Sequence, residues 1–295
     1  EVVARGRALQ PTWAASSGED RAAVLQSVAR RLAASRPELL AVMAHEAGKT
    51  AGEADPEITE AIDFAHWYGA RAIDVANRPG TNLRGLGLTL VTPPWNFPVA
   101  IAVGGVLAAL AAGSAVVMKP SPLAGRCGES VVQHVRAALA EAGFDPDLVQ
   151  LIQVPENEVG QHLVAHEGVD QVVLTGSLET AQLFASWRSR NRSLPGGPRV
   201  FAETSGKNAL IVTPSADLDL AVSDLVRSAF GHAGQKCSAA SLVILVGSVG
   251  TSRRFHHQLR DAVTSLRVGL PHDLGTGMGP VIEQPSGKLL RALTQ

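Results

Sequence analysis

A chain of 295 residues is long enough to fold as two domains. Its hydrophobic fraction of 45% excludes a disordered chain, and its formal net charge of −1 argues against nucleic acid or an acidic membrane surface as a partner. Two cysteines, Cys127 and Cys237, make no disulfide framework, which favours a reducing compartment and a chemical role for at least one thiol. No secretory leader is recognisable, so we expect a cytoplasmic protein.

The N-terminal part of the chain predicts helices that serve as a scaffold. Residues 16–48 have the apolar periodicity of two amphipathic helices, and a third helix is predicted to begin at Asp55. Gly48-Lys49-Thr50 is similar to the end of a phosphate-binding loop, but Met43 stands where that loop requires glycine. No strand is predicted before it, so we expect no nucleotide site there.

From Gly87 onward strands and helices alternate, which predicts an α/β fold with a Rossmann-like, doubly wound parallel sheet. The apolar run 99–117 has nearly the length of a membrane span, but Gly113 divides it into a helix and a buried strand. The predicted strands are 88–92, 114–118, 148–153, 171–175 and 199–202, and the predicted helices are 99–111, 128–142, 159–165 and 178–189.

A second region begins after Ser205, and we place the domain change near residues 205–207. The alternation of strand and helix continues in this region. Its predicted elements are strands 209–212 and 242–246 and helices 217–232 and 251–265.

Cys237 lies in the sequence Gly234-Gln235-Lys236-Cys237-Ser238-Ala239, which is predicted to form a turn followed by the start of a short helix. Unpaired N–H groups at a helix N-terminus and the neighbouring Lys236 would favour the thiolate, the nucleophilic form of cysteine. The alternative is a small buried apolar side chain. Cys127 has no acid or donor motif around it, and we interpret it as structural.

Glu203 and Lys119 are each predicted to follow the end of a strand, where ligands bind in open α/β sheets. A partly desolvated glutamate has a raised pKa and can act as a general base, whereas an exposed one would be a linker carboxylate. Lys119 could bond a ribose or a phosphate, or could be an ordinary solvated lysine.

Asn96 lies in the turn Pro93-Pro94-Trp95-Asn96-Phe97-Pro98, which the prolines make rigid. Its amide could donate to an oxyanion or could cap the following helix. The sequence Thr175-Gly176-Ser177 closes a strand and opens a helix, where backbone N–H groups bind pyrophosphate or Ser177 simply caps the helix.

Other patterns carry no chemistry. No Gly-x-Gly-x-x-Gly follows a strand, so a nucleotide would be bound in a variant way. The nine histidines show no metal-binding spacing, and we expect no metal site.

The motifs taken together identify a family. The sequence resembles the aldehyde dehydrogenase superfamily over essentially its whole length. Within it, the Cys237 motif with Ser228-Ala229-Phe230, and the polar stretch 187–199, resemble the glutamate-semialdehyde (1-pyrroline-5-carboxylate) dehydrogenases. The matching segments are 94–98, 118–121, 175–177, 203–208, 234–237 and 278–282.

The resemblance implies a fold and a reaction. An NAD(P)-binding domain with N-terminal helices would cover residues 1–205, and a truncated α/β catalytic domain 206–295. Cys237 would attack an aldehyde, Asn96 would bind the oxyanion, and Glu203 would activate the water that releases the acid. Cofactor contacts are expected from Thr92, Pro94, Trp95, Lys119, Ser121, Gly176, Ser177 and Thr204.

Two departures from the family pattern limit these expectations. Pro122 stands where the family often has a ribose-binding glutamate, so both NAD and NADP stay open as cofactors. A later Glu-x-Phe motif, a substrate-anchoring loop and an oligomerisation flap are not present. We therefore expect this chain to be a fragment of a longer protein. That protein could be a bifunctional enzyme that also carries a proline dehydrogenase. Where the C-terminal part is present, we expect a homo-oligomer.

Glutamate semialdehyde is the expected substrate. The alternatives are a succinate-semialdehyde or broad-range aldehyde dehydrogenase, and a truncated or inactive homologue. A silent homologue would be expected to lose Cys237 or Glu203, and both residues are present.

Overall fold

A computed structural model describes residues 1–81, 84–154, 158–190 and 198–295. The chain divides into two compact units, the first formed by residues 1–46 and 55–204 and the second by residues 47–54 and 205–295. The sequence analysis placed a boundary near residue 205, but it did not predict that residues 47–54 join the second unit. Residues 191–197, most of the polar stretch 187–199 noted above, lie outside the described residues.

Four helices precede the sheet of the first unit: α1 (Val2–Ala14), α2 (Gly18–Ala34), α3 (Arg36–Ala47) and α4 (Ala51–Ala76). Helix α1 was not predicted. It is anchored by Trp13, a fully buried residue whose indole Nε1 donates to the carbonyl oxygen of Leu110 at 2.9 Å. A capping box starts α2, because the side chains and backbone amides of Ser17 and Asp20 bond reciprocally.

The first unit contains a sheet with the strand order β3-β2-β1-β4-β5, and every described pairing is parallel. This confirms the predicted doubly wound parallel sheet. Its elements are β1 (Leu88–Thr92), α5 (Ala100–Ala111), β2 (Ala115–Met118), α6 (Gly125–Glu141), β3 (Val149–Leu151), α7 (Glu158–Val164), β4 (Gln171–Gly176), α8 (Leu178–Arg190) and β5 (Arg199–Thr204).

The core of this unit explains the long apolar run seen in the sequence. Strand β2 is buried at every position, and α5 buries nine of its twelve residues. A helix that is apolar all round lies inside a protein. No helix in the described part of the chain is both long and apolar enough to cross a membrane.

The second unit contains β6 (Asn208–Val212), α9 (Leu218–Phe230), β7 (Ala240–Leu245), α10 (Arg253–Thr264) and α11 (Gly287–Thr294). Strands β6 and β7 pair in parallel. A small core of Val212, Val222, Leu225, Val249 and Phe255 joins the sheet to α9 and α10.

Candidate active site

Cys237 is exposed, and it lies in a turn between a short 3-10 helix, Gly231–Gly234, and strand β7. The turn is closed by the amide of Ala239, which donates to the carbonyl oxygen of Lys236 at 3.1 Å. The prediction that Cys237 begins a helix was wrong, because the chain after the turn pairs with β6 instead. The dipole of a following helix therefore does not act on this thiol.

Two polar side chains fasten this turn. The amide Nδ2 of Asn208 donates to the carbonyl oxygens of Cys237 and Ala239, at 2.6 and 3.2 Å. The amide Nε2 of Gln235 donates to the carbonyl oxygens of His232 (3.0 Å) and Pro280 (3.4 Å). Both residues belong to motifs quoted above, but these bonds could not be predicted because most of their partners lie far along the chain.

Gln235 also accepts a bond from the opposite side. The amide of Ile282 donates to its Oε1 at 2.9 Å. The side-chain amide of Gln235 thus connects the nucleophile turn to residues 280–282.

Lys236 lies beside Cys237 and is half-buried. Burial lowers the pKa of its amine, and the nearby Arg227 and Lys49 lower it further while Glu53 opposes them. The Nζ of Lys236 donates to the carbonyl oxygen of Arg227 at 3.4 Å. The ammonium group of Lys236, which was predicted to lie next to the thiol, therefore bonds to the last turn of α9.

In the first unit, several predicted residues meet at the carboxyl edge of the sheet. Thr92 ends β1, and the amide of Lys119 donates to the carbonyl oxygen of Val91 at 2.9 Å. Lys119 is only 3% exposed, so the interpretation of a solvated lysine was wrong. A buried lysine at a strand end is costly to desolvate, which favours a role in binding.

Glu203 lies within β5, where it is paired with Thr175 of β4, and Thr204 is paired with Gly176. The expectation that Glu203 follows the strand was wrong, because pairing with β4 extends the strand to Thr204. Of the two alternatives left open for Glu203, its exposed side chain in this chain matches the exposed linker carboxylate and not the partly desolvated base. The hydroxyl of Ser177 accepts a bond from the amide of Thr180 at 3.0 Å and so caps α8.

The proline-rich turn that carries Asn96 is anchored by a residue that the sequence analysis missed. The carboxylate of Glu57, 2% exposed, accepts bonds from the amides of Val99 (2.8 Å) and Ala100 (3.1 Å) at the start of α5. The alternative in which Asn96 caps this helix was wrong, since the cap position is Val99. Asn96 is half-buried in the turn, next to Trp95.

The strand order reverses between β1 and β4, and open α/β sheets bind dinucleotides at such a point. Thr92 and Thr175 flank the reversal and line a cavity of about 280 Å³ together with Pro93 and Gln171. Ser121 caps a 3-10 helix that starts with Pro122, just after Lys119. Thr92, Thr175, Lys119 and Ser121 lie at or just past the carboxyl ends of their strands, where residues that would hold a nicotinamide dinucleotide are expected.

Each unit holds part of the predicted catalytic set. Asn96 and Glu203 belong to the first unit and Cys237 to the second. The second unit also has a cavity of about 860 Å³ beside α9 and α10, but Cys237 does not line it. The residues described include no cluster of three or more potential metal ligands, and Cys127 is fully buried in α6.

Comparison with known proteins defines the class of protein. The profile of the aldehyde dehydrogenase family matches residues 1–295. This chain belongs to the aldehyde dehydrogenase family, which uses nicotinamide cofactors. The resemblance recognised from the motifs is confirmed.

Particular relatives carry proline-related names. The chain is 36% identical to 1-pyrroline-5-carboxylate dehydrogenase of Geobacillus thermodenitrificans, over 92% of this chain and 54% of that protein. It is 37% identical to the bifunctional protein PutA of Klebsiella aerogenes, over 92% of this chain and 20% of that protein. The chain thus spans about half of the first relative and a fifth of the second.

Comparison with solved structures supports the same family assignment. Proline utilization A from Corynebacterium freiburgense has a TM-score of 0.86 and 49% identity, over 99% of this chain and 29% of that one. A mutant of 1-pyrroline-5-carboxylate dehydrogenase from Thermus thermophilus has a TM-score of 0.87 and 33% identity, over 96% of this chain and 56% of that one.

Proposed function

We propose that the protein carrying this chain oxidises L-glutamate 5-semialdehyde to glutamate with NAD or NADP, a step of proline catabolism. The names of relatives at 36–37% identity support the substrate. The observation that carries the proposal is the exposed thiol of Cys237 in a tightly bonded turn, in a chain that matches the family throughout.

Cys237 is the proposed nucleophile. Its thiolate attacks the aldehyde carbon and forms a C–S bond, and the carbonyl oxygen becomes an oxyanion. The side-chain amide of Asn96 and the backbone N–H of Cys237 donate to that oxyanion, which places charge stabilisation where charge develops. Loss of hydride from the same carbon leaves a thioester on Cys237.

Glu203 is the proposed general base for the second half of the reaction. It takes a proton from water, which attacks the thioester, releases the carboxylic acid and restores the thiolate. Dividing the oxidation into two steps is effective because a thiolate attacks readily and its thioester still hydrolyses.

A bound nicotinamide dinucleotide supplies the hydride acceptor. Thr92, Pro94, Trp95, Lys119, Ser121, Gly176, Ser177 and Thr204 are the residues proposed to hold it. Those at the strand ends support this role because β1, β2, β4 and β5 place them at one edge of the sheet. Pro122 carries no charge that would repel a 2′-phosphate, so NADP stays a candidate beside NAD.

The test is nicotinamide reduction by the protein at its natural length. Glutamate semialdehyde, succinate semialdehyde and a simple aliphatic aldehyde are each offered with NAD and with NADP. We expect the highest kcat/KM with glutamate semialdehyde and no reduction by Cys237→Ala. Equal use of the three aldehydes would overturn the substrate assignment and favour a broad-range enzyme.

A further inference from the structure

Glu53 makes two hydrogen bonds that connect the start of α4 to the nucleophile turn. Its Oε2 accepts from the amide of Thr50 at 3.0 Å, and its Oε1 accepts a short bond from the amide of His232. All three residues belong to the second unit. One carboxylate therefore joins two segments that are 179 positions apart in the sequence.

The backbone held by Glu53 is strained. His232 and Ala233 have φ angles of 53° and 54°, in the left-handed region that residues with a Cβ rarely adopt. Such a conformation persists only where its surroundings fix it. The carboxylate of Glu53 fixes the N–H of the first of these two residues.

His232 also bonds to the residues that precede Cys237. The carbonyl oxygen of His232 accepts bonds from the backbone amide and the side-chain amide of Gln235, both at 3.0 Å. Gln235 lies two residues before Cys237. A continuous set of bonds thus runs from Glu53 through His232 and Gln235 to the turn that carries the nucleophile.

We infer that Glu53 is a positioning residue for Cys237. The inference rests on the proposed function, because it assumes that Cys237 is the nucleophile. Without Glu53 the left-handed segment relaxes and the thiol no longer points in a fixed direction. A misplacement of about 1 Å at a reacting atom can lower the rate about 100-fold.

The simpler role for Glu53 is helix capping alone. Thr50-x-x-Glu53 has the spacing of a capping box, in which the carboxylate bonds back to the residue before the helix. Asp20 makes the equivalent bond to the amide of Ser17 at the start of α2, at 3.1 Å. Asp20→Ala is therefore a matched control, since it removes a capping carboxylate in the other unit.

The first measurement is hydrogen exchange of the peptide covering residues 231–239, followed by mass spectrometry. We expect exchange in Glu53→Ala to be at least about fivefold faster than in the native protein, because a backbone donor loses its partner. Glu53→Gln keeps an acceptor oxygen and should lie between the two. Asp20→Ala should leave this peptide unchanged.

The second measurement is steady-state kinetics of the same variants. In Glu53→Ala we expect kcat to fall by about 10- to 100-fold while KM for the nicotinamide nucleotide is unchanged. Glu53→Gln should recover part of kcat, and Asp20→Ala should keep all of it.

Two results would overturn the inference: unchanged exchange over 231–239 in Glu53→Ala, or a kcat that falls no more in Glu53→Ala than in Asp20→Ala. Failure of the proposed function is recognised separately. In that case the native protein oxidises no aldehyde, while the exchange measurement, which needs no substrate, still reports whether Glu53 holds the turn.

Discussion

At the scale of single residues, several polar side chains form hydrogen bonds with backbone atoms near the candidate catalytic residues. Asn208, Gln235 and Glu53 bond main-chain atoms around Cys237, and Glu57 bonds main-chain atoms beside the turn of Asn96. Fixed backbone geometry is what a two-donor oxyanion site requires, because donors must be in place before charge develops.

Asn96→Ala tests the oxyanion role. Loss of one oxyanion donor lowers turnover about 10²–10³-fold, so we expect kcat to fall by that factor in a variant that stays folded. Steady-state kinetics with the preferred aldehyde, and circular dichroism for folding, provide the check. Native turnover in a folded Asn96→Ala variant would remove Asn96 from the mechanism.

The pH dependence of stability tests the burial of His232. Burial lowers the pKa of His232 to about 4, Lys49 and Lys236 lower it as well, and Glu53 opposes them. An unfolded histidine has a pKa near 6.5. As the pH falls from 6.5 to 4, the unfolded chain therefore takes up a proton that the folded chain does not, and the folded state loses up to about 3 kcal/mol.

His232→Asn removes this titration and keeps a residue that tolerates the left-handed region. We expect the unfolding midpoint of the native protein to fall more steeply than that of His232→Asn between pH 6.5 and 4, with parallel curves above pH 7. Parallel curves over the whole range would show that His232 does not titrate in this way.

Sequence reasoning selected the candidate catalytic residues Asn96, Glu203 and Cys237 because they stand in short, unusual motifs. It did not identify Glu53, Glu57 or the strained His232, because their significance depends on partners distant in the chain. The burial of Lys119 could not be predicted from the sequence either, since a lone lysine is normally solvated.

At the scale of elements, Glu57 connects two parts of the first unit. It projects from α4 and caps α5 through the amides of Val99 and Ala100. Glu57→Ala leaves both buried donors without this acceptor, and we expect the free energy of unfolding to fall by about 1–3 kcal/mol. Chemical denaturation measures the change.

Asp63→Ala is the control for this prediction, because Asp63 is an exposed residue on the same helix. Its effect should stay within about 0.5 kcal/mol. Equal effects of the two substitutions would contradict the capping role of Glu57.

The strands and helices of the sheet were predicted well because apolar periodicity determines them. Two elements were misplaced for different reasons. Helix α4 begins at Ala51 and not at Asp55, and the local bond from the amide of Thr50 to Glu53 is a capping signal that the sequence analysis missed. The strand predicted at 242–246 begins at Ala240 because the segment after Cys237 pairs with β6, a tertiary contact that local propensity does not contain.

At the scale of the whole molecule, the second unit has an uncovered apolar surface. Ile211, Leu242 and Ile244 point away from its core and are 61%, 57% and 42% exposed. Parallel sheets are normally covered on both faces. This chain should therefore bind a hydrophobic dye such as anilinonaphthalene sulfonate.

Ile211→Thr with Leu242→Thr places a β-branched residue at both strand positions and reduces the apolar surface. We expect dye fluorescence of residues 1–295 to fall clearly in the double variant. As a control, Leu274→Thr changes an exposed leucine outside the sheet and should leave most of the dye signal. Equal losses in the two variants would show that the dye does not bind the sheet.

In the proposed reaction Cys237 acts as a covalent nucleophile and Glu203 promotes release of the product. Its most direct test is mass spectrometry of Glu203→Gln at natural length, mixed with glutamate semialdehyde and the nicotinamide nucleotide. We predict a glutamyl thioester on the peptide that contains Cys237, absent from Cys237→Ala. Aldehyde oxidation that persists in Cys237→Ala, or an acyl group on another residue, would contradict covalent catalysis by Cys237.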